Sequence, residues 1–156
     1  MAFILSMPVE TAQSQRGPGR VMALDVGDRR IGMAVSDPTG LIASPAGFIT
    51  RRGLERDVEI IISKARELKA ERIVVGMPLD SRGEVGEQGR RVQVLVEVLE
   101  GASPVAVETW DERFSTLEAE GFMREIGRKP SREKGASDAA AAAVILQGWL
   151  DKRRKG

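Results

Sequence analysis

The spacing of apolar residues changes character along the chain, and each change marks a new element. VMALDV, residues 21–26, is an almost unbroken apolar run that predicts a strand; a turn at Gly27-Asp28-Arg29 leads into a second strand over about 30–36. Asp37-Pro38-Thr39-Gly40 has turn composition, and residues 45–50 predict a third strand, completing a meander. The period then shifts. Leu54, Val58, Ile61, Ile62, Ala65 and Leu68 recur at helical spacing with charges between them, which predicts an amphipathic helix over 54–70. RIVVGMPL, closed by Gly76 and Pro78, is short and β-branched, the pattern of a parallel strand covered on both faces. DSRGEVGEQG follows as a polar, glycine-rich loop. Val92, Leu95, Val96 and Leu99 mark a second helix ending near Gly101, and PVAVETW is a further strand. Ser115 and Glu118 frame a capping box that opens a third helix to about Ile126. GRKPSREKG is a basic, breaker-rich loop, and a last helix spans about residues 137–150. Its alanine-rich stretch is apolar on nearly all sides, so it is expected to be buried.

The order is β-β-β-α-β-α-β-α-α. A meander followed by β-α-β-α-β predicts an α/β fold with a mixed five-stranded sheet and helices on both faces. A single domain over residues 20–151 suits a chain of 156 residues. Residues 1–19, which end in the breaker-rich SQRGPG, are expected to be a flexible extension, and residues 152–156 a basic tail on a frayed helix end.

One residue does not fit its element. Asp25 lies inside the first strand, where Asp is disfavoured and an unpaired carboxylate costs several kcal/mol. Alternation places it with Val21 and Ala23 on one face, at the carboxyl end of the strand, where ligand sites of such sheets lie. Asp111 and Glu112 end the last strand, and alternation aims one of the two toward Asp25's side. Asp138 opens the last helix. Each has a plain reading: turn amides for Asp25, a charged turn for Asp111-Glu112-Arg113, the helix macrodipole for Asp138. If three carboxylates converge at one sheet end, a cation must accompany them.

Composition narrows which cation and which chemistry. The chain has no cysteine, histidine or tyrosine, which removes thiolate and imidazole catalysts, Cys- or His-held metals and a phosphotyrosine intermediate. A hard cation, Mg2+ or Mn2+, is the natural partner of oxygen ligands. Net charge is only +1, so attraction to nucleic acid must come from local patches. Arg29, Arg30, Arg51 and Arg52 lie near the ends of the meander strands. Arg128, Lys129, Arg132 and Lys134 crowd the loop before Asp138, positions suited to holding phosphates or simply to a solvated surface. Trp110 can stack on a base, but its place on a strand favours the core. No segment approaches the about 20 apolar residues of a membrane span. A chain without cysteine suits a reducing cytoplasm, the expected location.

ALDVGDRRIGMAVSD, IVVGMPLD, DERFST and KGASDAAAAAVIL resemble, in order and spacing, the YqgF family, the RuvX-type group related to Holliday-junction resolvases. The resemblance covers residues 21 to about 150. It implies an RNase H-like fold and a metal-dependent phosphodiesterase acting on structured nucleic acid, in a family described as maturing the precursor of 16S ribosomal RNA. It carries the acidic positions onto Asp25, Asp138 and the DERFST pair, with Glu112 favoured over Asp111. It also implies two Mg2+ or Mn2+ ions, with Asp25 bridging and Glu112 and Asp138 each holding one, and it brings Lys134 toward the scissile phosphate. Arg113 can orient Glu112 or touch the backbone beside Arg29 and Arg30.

Two other classes compete. Actin-like and sugar-kinase ATPases share the core fold and a similar first turn, but they need a second half and an adenosine site, and no P-loop is present. A non-catalytic RNA-binding ribosome-assembly factor would keep the fold and bind without turnover. A branched DNA junction as substrate predicts a homodimer with two active sites, whereas a monomer favours RNA processing.

Overall fold

The structure, a computed structural model, describes residues 19–112 and 136–155. The expected extension up to residue 18 and the expected helix over 115–126 lie outside the described residues.

Five strands form one sheet: β1 (Val21–Val26), β2 (Arg30–Ser36), β3 (Ala43–Thr50), β4 (Arg72–Met77) and β5 (Ala106–Asp111). Their order is β3-β2-β1-β4-β5, so β1 is central. β1–β2 and β2–β3 are antiparallel; β1–β4 and β4–β5 are parallel, which makes the sheet mixed as expected. Parallel neighbours need crossovers, and the two crossover helices supply them: α1 (Leu54–Glu67) before β4 and α2 (Glu87–Ala102) before β5. The last helix, α3 (Ala136–Lys155), lies across the opposite face.

Alternation along β1 divides the core in two. Met22, Leu24 and Val26 join Ile61, Ala65, Val92, Leu95 and Leu99 in a layer under α1 and α2. Val21 and Ala23 join Ala34, Val74, Ala142, Ala143, Leu146 and Trp149 in a layer under α3. The stretch from Ala139 to Leu150 is largely buried, as its all-round apolar character predicts.

Several boundaries differ from expectation. α1 stops at Glu67 rather than continuing to 70, because Lys69 takes a left-handed φ of 58° and turns the chain into β4. β3 starts two residues early, at Ala43, which pairs with Ser36 and donates its N–H to the Gln147 side chain at 2.9 Å. The glycine-rich loop after β4 is not featureless: Leu79 and Val85 form an isolated bridge around Asp80, which accepts the amides of Arg82 and Glu84, and α2 begins at Glu87. α3 runs five residues past Leu150. Asp151 is fully buried and is held by Gln147 and Arg154, so the basic tail is the last turn of an anchored helix. Among the described residues no helix is long and apolar enough to cross a membrane.

Candidate active site

Asp25 stands near the carboxyl end of β1, on the α3 face of the sheet. Its cross-strand partner on β2 is Gly32. On β4 the parallel register Leu24 to Val75 carries forward to Gly76 beside it. Both neighbours lack side chains, and the packing shows why. A Cβ on Gly32 would fall on the backbone carbonyl of Asp138, in the first turn of α3. A Cβ on Gly76 would stand 2.6 Å from Glu112 Oε1 and crowd the Ile145 side chain. The two glycines are slots through which residues distant in sequence approach Asp25 from either side.

The charges register this crowding. Burial, and then Asp138, raise the Asp25 pKa above the usual carboxylate range. Burial, followed by Asp25 and Asp111, pushes Glu112 up to about 7. Of the acidic pair ending β5, Glu112 is the residue against Gly76 and coupled to Asp25. Alternation places it with Glu108, which accepts the Trp149 Nε1–H from α3. Asp138 is placed differently. Its backbone packs on Gly32, but its carboxylate accepts Arg30 Nε at 2.8 Å. Among the described residues no three acidic side chains close into one ligand set. The arrangement is two electrostatic pairings centred on Asp25, with Arg30 taking the charge of the third carboxylate. These all-oxygen, like-charged, half-buried donors match the preference of a hard divalent cation.

The basic residues separate into outward and inward groups. Arg29 and Arg52 are exposed. Arg30 pairs with Asp138 and lies 6.0 Å from the Phe48 ring centroid. Arg51, expected near phosphates, is used internally. Its guanidinium bonds Asp57 Oδ2 at 3.0 Å and the Gly27 carbonyl at 3.1 Å, and its own amide donates to the Arg29 carbonyl at 2.8 Å. Asp57 is fully buried and also accepts the Arg52 amide at 2.8 Å. This clamp ties the start of α1 to the β1–β2 turn just beyond Asp25. Sequence reasoning passed over Asp57 as one charge among many, yet it stands three residues after Leu54 and four before Ile61, within the apolar stripe. Trp110 is half-buried against the α3 layer. Arg113, Arg128, Lys129, Arg132 and Lys134 lie outside the described residues.

Comparison with known proteins agrees with this fold. The RuvX family, described as Holliday junction resolvase, matches residues 19–152. A Synechococcus sp. protein (strain JA-2-3B'a(2-13)) named "Putative pre-16S rRNA nuclease" is 45% identical over 139 residues, 89% of this chain and 82% of its own length. A protein of the same name from Desulforamulus reducens is 41% identical over 136 residues, 87% of this chain and 99% of its own length. Among solved structures, T. thermophilus RuvC in complex with Holliday junction substrate superposes with a TM-score of 0.59 at 15% identity, covering 87% of this chain and 96% of that one. The fowlpox virus Holliday junction resolvase gives 0.56 at 10% identity, covering 85% and 99%. At those identities the structural likeness speaks for the fold, which is RNase H-like. Together with the family match over nearly the whole domain, it follows that the chain belongs to the RuvX family, as a phosphodiester-cleaving nuclease.

Proposed function

We propose that this nuclease cuts structured RNA, the precursor of 16S ribosomal RNA, in the cytoplasm, using divalent cations held by Asp25, Glu112 and Asp138. The observation that carries the reading is the crowding of carboxylates at one end of the central strand, where burial and Asp138 raise the proton affinity of Asp25, and burial and Asp25 raise that of Glu112. Such a cluster is costly alone and favourable around a cation. Bound Mg2+ or Mn2+ would supply Lewis-acid activation of a water and charge stabilisation for displacement at the phosphate. The chain's own part is to hold the ligands in place. Asp25 is fixed by the central strand, Glu112 by the end of β5 against Gly76, and Asp138 by the seating of α3 on Gly32. Glu112 must give up its proton to serve as a ligand, so cation uptake releases protons below about pH 7. Arg30, beside Asp138, and the exposed Arg29 are set to receive substrate phosphates, a role the family resemblance also gives Arg113 and Lys134. The choice of RNA rests on the names of the relatives that share more than 40% identity.

The test is cleavage of labelled RNA precursors and four-way DNA junctions with Mg2+ or Mn2+, wild type beside Asp25→Asn. Wild type should cut RNA, with the variant slower by about a thousandfold, on the order of 4 kcal/mol in the barrier. Equal cleavage by both proteins rejects Asp25 as a catalytic ligand. Preferred cutting of junctions by a dimer makes the protein a DNA resolvase. Salt-sensitive RNA binding without turnover makes it an assembly factor.

A further inference from the structure

Alternation places Arg30 and Gly32 of β2 on the α3 face, with Phe48 across from Gly32 on one side and Asp25 on the other. Arg30 thus stands two residues along the strand from the slot that seats the backbone of Asp138. Its side chain has two neighbours there. Nε donates to Asp138 Oδ2 at 2.8 Å, and the guanidinium carbon lies 6.0 Å from the Phe48 ring centroid. Among the described residues Arg30 is the only donor to the Asp138 carboxylate. The Arg30 side chain is 38% exposed and that of Asp138 26%, so both ends of the pair are open to solutes. The pair of Arg51 and Asp57 is the contrast. There the carboxylate is fully buried and also holds the Arg52 amide, which fixes it as a strut.

We propose that Arg30 and Asp138 form an exchange pair: a substrate phosphate takes Arg30, and the Asp138 carboxylate is given up to the site. Arg30 is then a positioning residue, which keeps Asp138 neutralised until nucleic acid arrives. The exchange rests on the nuclease reading for the identity of its anion, but its central test needs no cleavage. A partly exposed ion pair is worth little, so a phosphate competes with the carboxylate on nearly even terms. The guanidinium fork suits phosphate as well as it suits carboxylate. Phe48 keeps the guanidinium beside the site once the carboxylate lets go. By linkage, whatever draws Asp138 from Arg30 favours phosphate binding, and a bound phosphate favours a cation on Asp138.

The experiment is a double-mutant cycle on the binding of a labelled single-stranded RNA, read by fluorescence anisotropy across a salt series in metal-free buffer. Removing a negative charge at position 138 helps any polyanion bind, and the cycle cancels that general effect. In the Asp138→Ala background Arg30 has no carboxylate to leave. There Arg30→Gln should weaken binding about tenfold and lower the salt slope by about 0.7, one phosphate contact on a single strand. In the otherwise wild-type chain the loss should be about fivefold smaller, because binding there first breaks the ion pair. Arg30→Lys should recover most of the affinity in either background. A pair that merely seats α3 would shift the melting temperature and leave the two losses equal, and equal losses overturn the exchange. In a calorimetric titration with Mn2+ alone, Arg30→Gln should bind about threefold tighter than wild type, since Asp138 no longer shares its charge. Arg52→Gln, which removes an exposed cation before α1, should bind Mn2+ as wild type does. Unchanged or weaker Mn2+ binding in Arg30→Gln also overturns the exchange. If wild type binds RNA but neither takes up Mn2+ nor cleaves, the nuclease reading falls while the RNA cycle still decides the exchange.

Discussion

On one face of β1, Met22, Leu24 and Val26 meet the large side chains of α1 and α2; on the other, Val21, Ala23 and Asp25 meet a helix whose N-terminal half is largely alanine. The first layer is filled with Ile, Leu, Val and Met, and the volume there serves stability. The second gives volume away. Ala23, Ala34, Ala142 and Ala143 bring α3 close to the sheet, and Gly32 and Gly76 remove the last obstacles around Asp25. A polar site can thus be set within a core if one face carries the apolar burial and the other is thinned to admit charged groups.

Substitutions on the two faces should have different signatures. The largest effect is expected at the clamp that joins the apolar layer's helix to the turn beyond Asp25. Asp57→Asn leaves Arg51 without its counter-charge and should cost about 3–5 kcal/mol in denaturant unfolding. Because Arg51 also holds the Gly27 carbonyl, cleavage measured well below the melting point should fall as well. Leu24→Ala, entirely within the apolar layer, should cost about 2–5 kcal/mol of stability and leave kcat at low temperature unchanged. Gly32→Ala should lower turnover in the folded protein beyond whatever stability it costs. The new methyl displaces the first turn of α3, and a shift of about 1 Å at the site lowers turnover about a hundredfold. If Gly32→Ala kept full activity, or Leu24→Ala lost it in the folded protein, the division of labour between the faces would fail.

The smallest effect is electrostatic. The folded-state pKa of Glu112 is raised from 4.5 to about 7, so the native state binds the proton more tightly than the unfolded chain. The metal-free protein should therefore lose stability as pH rises from about 4.5 through about 7 and level off above. Allowing for solvent screening of a half-buried group, the loss is on the order of 1–2 kcal/mol. Glu112→Gln should flatten the profile, and added Mg2+ should restore stability at pH 8. Thermal melts over that range with and without the cation check both points, and an unchanged profile in Glu112→Gln would remove the charge crowding from the account.

How much of this was legible beforehand follows from what each signal measures. Periodicity reports which face of its own element a residue occupies. That was enough to place Asp25 opposite Met22 and Leu24, to expect a mixed five-stranded sheet, and to expect burial along the alanine-rich helix. It says nothing about what stands across a gap. The pairing of Gly32 with Asp138 and of Gly76 with Glu112 spans distant parts of the chain, so neither glycine stood out from an ordinary β-strand glycine. Arg51 looked like a surface cation because its partner lies six residues on, in a helix whose first turn is expected to carry acids in any case. The basic residues at the end of α3 are exposed, as a solvated tail would be, and what periodicity did not indicate is the buried Asp151 that precedes them.

The reliance of the second layer on α3 has a consequence for how the molecule is made. Val21, Ala23, Ala34 and Val74 find their cover almost wholly in residues 139–150, more than a hundred positions after β1. A nascent chain emerging from the ribosome can close the hairpins of the meander early, since those contacts are local. That side of the sheet stays bare until translation has passed the last helix and the exit tunnel has released it. The face that carries Asp25 is therefore completed only when residues 139–150 are free to dock on it.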